Sequence, residues 1–245
     1  SVDDCSKLTF AAKKTDNQSA DHFNGRIEDP VLYAKLPLRE FPPTLPDEAG
    51  HGEIVAWWDF SIGIETQTLV DRGSRGLGGR LVNIPYRGMR GINWTGRFMH
   101  WRDSPREYAA IHFHEDDLHD CGWDTDFSFK IPYSAKSGVY GLRLRQGSSE
   151  DILPFYILPA NDKKKNKICY LASTFTYQAY ANHARGNCDQ QMRNRMRDWG
   201  ANLHNPDDYP VYGKSTYNFH PDGTGTSISS RLRPVLTHRS GYLTF

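Results

Sequence analysis

Long apolar runs are missing from this chain. The longest, such as Ile54-Val55-Ala56-Trp57-Trp58, fall far short of the roughly 20 residues that a membrane-spanning helix needs. No basic segment followed by an apolar stretch opens the chain, so the pattern of a signal peptide is missing as well. Charge of one sign is not in excess: 30 Lys and Arg stand against 29 Asp and Glu, a net charge of +1. That balance gives no electrostatic reason to expect nucleic acid or an anionic membrane as a partner. Paired cysteines are absent too, since Cys5, Cys121, Cys169 and Cys188 lie far apart. A zinc knuckle or a thioredoxin-like motif is thereby disfavoured, and reduced cytosolic thiols fit better than a disulfide framework. Neither Gly76-Leu77-Gly78-Gly79 nor Gly223-Thr224-Gly225 has the strand before and helix after that a phosphate or dinucleotide loop requires, so both read as turns. The sequons at Asn17 and Asn93 carry little weight without a secretory signal.

What is present is the composition of a folded, modular protein, 38% hydrophobic and 24% charged. Residues 1–50 read as a connector or edge segment ending in Phe41-Pro42-Pro43-Thr44-Leu45-Pro46, where closely spaced prolines break helices and remove ladder donors. Residues 51–160 read as a β-sandwich region, with strands expected over 53–60, 80–84, 108–114, 126–131, 138–145 and 150–158. The 138–145 strand alternates apolar and basic residues, which predicts a half-buried face. Residues 161–166 form a polar linker, and 167–245 read as the beginning of an α/β domain. There 167–172 is an apolar run suited to a buried parallel strand, and 173–183 is expected to be a loop or turn. Met192, Met196 and Trp199 at helical spacing, with Gly200 after them, predict a helix over 189–199. Residues 203–229 read as loop. The two ends, Ser1-Val2-Asp3-Asp4 and Tyr242-Leu243-Thr244-Phe245, look like cuts inside a longer polypeptide.

Two places could carry chemistry. His112-Phe113-His114, followed by Glu115, Asp116 and Asp117, puts two imidazoles on one face of a strand close to carboxylates, a pattern able to bind a metal. The plainer reading is a strand with solvent-facing histidines running into an acidic loop, since no distant partner has a zinc spacing. The second place is a gathering of polar aromatics: Tyr177 and Tyr180 in 173–183, then Tyr217 and His220 in 215–220. In open α/β sheets ligands bind beyond the carboxyl ends of strands, which is where 173–183 would fall. Ordinary core-edge packing of tyrosine is the competing account. A phenolate can, however, serve as a hard anionic ligand for Fe(III), and a bound cation lowers its pKa. His220 could orient a ligand or water, or simply structure its loop.

The segments 53–60, 79–83 and 93–96 resemble the laminin-G-like module of the N,N-dimethylformamidase large (beta) subunit family. Thr176-Tyr177-Gln178-Ala179-Tyr180-Ala181-Asn182 and Ser229-Ser230-Arg231-Leu232-Arg233-Pro234 resemble the start of that family's catalytic domain, and the similarity runs from about residue 27 to the end. The resemblance implies a multidomain protein: a laminin-G or concanavalin-like β-sandwich, then a glutamine-amidotransferase-like α/β fold. It implies a cytoplasmic bacterial enzyme of large and small subunits that hydrolyses N,N-dimethylformamide to dimethylamine and formate. It also implies a mononuclear Fe(III) held by two tyrosines and a carboxylate. Carried onto this chain, the tyrosines are Tyr177 and Tyr217, with Tyr180 and Tyr242 as alternates; the carboxylate is expected outside this chain. The rival from another class is a non-enzymatic β-sandwich module that grips a carbohydrate or a partner subunit. Convergence of the tyrosine hydroxyls discriminates between the two.

Overall fold

The computed structural model describes residues 7–14, 19–35, 54–162, 166–201 and 204–242. The proline-rich connector expected at 41–46 and Lys163–Lys165 of the expected linker lie outside these residues. The chain divides into two compact units, Ser1–Asp117 and Leu118–Phe245. The described residues are mostly β-structure, with few helices. None of those helices is long and apolar enough to cross a membrane.

The first unit is built from short antiparallel strands. A two-stranded ribbon pairs β1 (Lys13–Lys14) with β2 (Ser19–Ala20). A three-stranded sheet sets β3 (Gly25–Glu28) and β8 (Tyr86–Met89) on either side of β9 (Ala110–Phe113). A four-stranded sheet runs in the order β4 (Val31–Tyr33), β5 (Ile54–Asp59), β6 (Thr68–Asp71) and β7 (Gly79–Arg80). The β5 sequence Ile-Val-Ala-Trp-Trp-Asp is buried almost throughout, which suits a strand inside a sheet. Its Ala56 and Trp58 join Phe60, Leu69, Leu81 and Ile111 in the core. Trp58 can be buried because its indole N–H donates to the Leu77 carbonyl at 2.6 Å. One guanidinium shapes the turn between β5 and β6. Arg87 donates to the carbonyls of Phe60, Ile62, Gly63, Thr66 and Thr68 at 2.7–3.1 Å, using the fixed fork that lysine lacks.

The strand expected at 80–84 is shorter than its apolar pattern suggests. Asn83 and Ile84 adopt φ of +62° and +52°, which ends the extended chain after Arg80. Histidines 112 and 114 do not face solvent: each is 5% exposed. Their rings lie 4.1 Å apart, Tyr86 meets His114 edge-on, and His114 Nδ1 sits 3.2 Å from Asp117 Oδ1. The acidic residue that sequence placed in a solvent loop is therefore a structural partner of the strand end.

Among its described residues the second unit carries one long hairpin, β10 (Gly138–Gln146) with β11 (Ser149–Ile157), and two α-helices, α1 (Thr174–Tyr180) and α2 (Gln190–Asp198). The β10 residues are mostly exposed rather than half-buried, because the ribbon pairs only with itself among the described residues. Residues 126–131 form no strand. Residues 167–172 form none either, and Ile168 and Leu171 are each 88% exposed. An apolar run becomes a strand only beside a partner ladder, and no described strand pairs with this one. Helix α2 forms as expected. Asp189 caps it by accepting from the Met192 N–H at 2.8 Å, and Gly200 at φ +62° stops it. Met192 and Met196 are buried, whereas Trp199 is exposed at the cap, outside the apolar stripe.

Candidate functional site

The site grows out of α1, where sequence suggested a loop. Thr174, Thr176 and the aromatics Phe175, Tyr177 and Tyr180 are poor helix formers, so this short helix needs outside support. That support comes from 215–229, which satisfies carbonyls at its C-terminal end. Ser215 and Thr216 hydroxyls donate to the Ala179 carbonyl at 2.6 and 3.0 Å, and the Ser229 hydroxyl donates to Gln178 O at 2.8 Å. Asn182 then turns the chain at φ +56°, a conformation that asparagine tolerates. Its buried amide donates to the carbonyls of Tyr212 and Pro234 at 3.2 and 2.8 Å and accepts from the Leu236 N–H at 2.7 Å. One side chain thus fastens two loop segments against the end of α1. Buried Arg233 adds a further tie, donating to the Ser229 hydroxyl at 2.9 Å, and burial lowers its pKa. Gly213 has to be glycine here. Its φ is +85°, and a Cβ would collide with the buried Arg233 side chain.

These ties frame a cavity of about 450 Å³. Thr176, Tyr177 and Tyr180 of α1 form one wall, with His183 and Arg185 following. The chain near the end of the described residues supplies Thr237, His238 and Tyr242. Tyr177 and Tyr180 share a face because they are three apart on a helix. Tyr217 stacks on Tyr180, with ring centroids 4.2 Å apart and planes at 19°, and it also lies against the His183 ring at 5.9 Å.

The hydroxyls are not equivalent. The Tyr177 oxygen lies 3.2 Å from the Tyr170 hydroxyl. Hydrogen bonding with Tyr170, and secondarily with Tyr156, holds it below the ordinary phenol range. Tyr170 and Tyr156 are correspondingly raised, Tyr170 chiefly by that hydrogen bond and Tyr156 chiefly by burial. Tyr217 is raised, first by its hydrogen bond with Tyr180. Burial raises Tyr242 as well, partly opposed by Arg185. His183 is lowered by burial and by the Arg185 charge, so its imidazole is neutral near pH 7. His238 meets the Tyr177 ring edge-on at 4.9 Å.

Of the residues singled out from sequence, Tyr177, Tyr180 and Tyr242 line this cavity, and Tyr217 reaches it through its stack on Tyr180. His220 is buried in a turn closed by its N–H to Thr224 O at 2.8 Å. Sequence reasoning missed Tyr156, Tyr170, Arg185, Thr237 and His238. An i, i+3 pattern in Tyr177 and Tyr180 was the available sign of a helix; nothing local marks Tyr156 or Tyr170 as partners of Tyr177.

No carboxylate lines the cavity among the described residues. The donor types present still suit a hard trivalent cation. A phenol held below its ordinary range by neighbouring hydroxyls is a good oxygen ligand, and neighbouring imidazoles widen the choice.

A β-rich chain with a tyrosine-lined cavity at the end of a loop-braced helix defines the class. The particular family follows from comparison. Residues 86–244 match the family model described as N,N-dimethylformamidase beta subunit-like, C-terminal, and the chain belongs to that family. A curated relative from Paracoccus aminophilus, the N,N-dimethylformamidase beta subunit, is 39% identical over 238 residues. A protein of the same description from Alcaligenes sp is 35% identical over 242 residues. Each alignment covers 90% of this chain but 31% of the relative, so the chain spans about a third of the length of these relatives.

Proposed function

We propose that this chain forms part of an amide hydrolase that cleaves the C–N bond of a small N-substituted formamide, N,N-dimethylformamide giving dimethylamine and formate. The reading is supported by the names of the two relatives and by a cavity of a size suited to small ligands. The observation that carries it is the meeting of the Tyr170 and Tyr177 hydroxyls at 3.2 Å beside the cavity, a contact that favours the ionised form of Tyr177. In this reading Tyr177 and Tyr217 hold a mononuclear Fe(III), Tyr180 and Tyr242 are the alternates, and the carboxylate ligand comes from outside these residues. The β-rich 51–160 region corresponds to a laminin-G-like sandwich, and 167–245 to the opening of a glutamine-amidotransferase-like domain. The word subunit in the relatives' description supports assembly with other chains; in this reading they are a small subunit and further copies of the large one, in a bacterial cytoplasm.

A ferric ion would supply a Lewis acid for the formyl oxygen and acidify water. The chain's own residues do the rest. Tyr180, His183 and Tyr242 present ring surfaces suited to the N-methyl groups of a small amide. Neutral His183 can accept a proton at the cavity wall and return it to the departing amine. So small a substrate offers little remote binding energy, so affinity is modest and orientation falls to the cavity walls.

The test combines metal analysis, a visible spectrum and formate release. Iron near one equivalent and a tyrosinate charge-transfer band that disappears in Tyr177→Phe or Tyr217→Phe support the proposal. An active protein that is colourless and iron-free overturns it. Binding of a partner without any hydrolysis favours the non-enzymatic module instead.

A further inference from the structure

Tyr156 and Tyr170 have no place in the hydrolysis just described, yet Tyr170 brings its hydroxyl to that of Tyr177 and Tyr156 lies against the Tyr170 ring. Tyr156 stands on β11, and Tyr170 lies in the segment before α1. Their rings are 6.4 Å apart, and Tyr170 Oη is 3.2 Å from Tyr177 Oη. Tyr170 is 64% exposed and carries its ring outside the apolar packing, so its packing contribution is small. What remains is its hydroxyl, placed where it meets the oxygen of a cavity residue. The Tyr177 ring is fixed independently, by its place on α1 and by the edge of His238 at 4.9 Å. The two hydroxyls therefore act on the oxygen of Tyr177 more than on the placement of its ring.

We infer that Tyr170 and Tyr156 are positioning residues that act through Tyr177, donating two hydrogen bonds to its oxygen and tuning it as a ligand. The inference rests on the reading of Tyr177 as an iron ligand. A phenolate oxygen that accepts two hydrogen bonds shares less charge with a cation than one that accepts none. Its filled orbitals lie lower, so light must supply more energy to move an electron from the ring to the metal. Removing a donor raises those orbitals and makes the oxygen a stronger ligand.

The experiment uses the iron-loaded protein and two substitutions that delete only a hydroxyl, Tyr170→Phe and Tyr156→Phe. Tyr140→Phe is the control, because the Tyr140 hydroxyl donates instead to the Lys136 carbonyl. With iron content unchanged, the charge-transfer band is expected to move to longer wavelength in both variants, and to stay in place in Tyr140→Phe. A band that keeps its position in Tyr170→Phe and Tyr156→Phe, at full iron content, overturns the inference and leaves the iron reading standing. A parent protein with neither iron nor band overturns the iron reading itself, and the inference with it. Exposure of Tyr170 makes a folding defect a poor explanation for any change in that variant, and circular dichroism of each variant checks the point.

Discussion

The two units of this chain are stabilised in different ways. In Ser1–Asp117, apolar side chains from several strands meet around Trp58, and the buried carboxylates Asp29 and Asp59 are paired with Arg106. Among the described residues of Leu118–Phe245, buried hydrophobic side chains are few (Ala181, Met192, Met196 and Leu236). Order there comes from side chains that reach backbone groups: Asn182, Ser215, Thr216, Asn218 and Ser229. A core of packed rings tolerates little change in shape, whereas a loop framework held by directional bonds can place several polar rings around one cavity. The candidate site sits in the second kind of structure, as binding residues often do.

The comparison is broken most directly by removing one anchor from each unit. Trp58→Ala deletes a ring that is 6% exposed and also frees the Leu77 carbonyl, so a loss of about 3–5 kcal/mol is expected in urea unfolding. Asn182→Ala deletes bonds to Tyr212, Pro234 and Leu236 and forces alanine to φ +56°. That substitution is expected to cost about 3 kcal/mol. It should also raise amide hydrogen exchange over 212–236 without affecting β5. Asn182→Gly relieves the backbone but not the lost bonds, so it should fall between parent and alanine variant. If Asn182→Ala leaves the exchange of 212–236 unchanged, the second unit is not held in the way described.

How much of this was legible in the sequence follows the same division. Strand β5 and helix α2 were readable, because their signals are local: β-branched and aromatic residues in one case, Asp189 and Gly200 as start and stop in the other. Of the tyrosines named from sequence, Tyr177, Tyr180 and Tyr242 line one cavity, and Tyr217 stacks on Tyr180. Helix α1 was not readable. Its residues favour extended structure, and the groups that hold it arrive from some 36 to 51 residues away. The 167–172 segment misled for a related reason: apolar content states a wish for burial, and only a partner strand can grant it. Tyr86, whose ring meets His114 edge-on, likewise comes from a distant strand that no spacing rule links to that histidine.

Two carboxylates sharpen the contrast through pH, with opposite signs. Asp29 lies in the first unit, accepts from the Phe60 N–H at 2.7 Å, and faces Arg106 at 3.0 Å, which also reaches Asp59 at 2.8 Å. Burial outweighs these partners and pushes its carboxyl from 3.8 to about 6. The folded chain therefore keeps a proton that the unfolded chain releases between those values, and this contribution to stability declines as pH rises through the window. Asn keeps an acceptor for Phe60 but cannot ionise. The stability of Asp29→Asn relative to the parent should therefore improve by about 2 kcal/mol from pH 3.5 to pH 7.

Asp208 in the second unit behaves the other way. Arg193 donates to both its oxygens, at 2.6 and 3.0 Å, and holds its carboxyl below the ordinary value. Its contribution is present above the unfolded carboxylate pKa and is lost as pH falls through the lowered folded one. The pair is partly exposed and screened by water, so Asp208→Asn should cost only about 0.5 kcal/mol at pH 7. It should cost nothing once the pH lies below the folded pKa. Urea midpoints at several pH values measure both variants in one series. Profiles that bend in the same direction would show that the charges of the two units are not set by burial in one and by an exposed ion pair in the other.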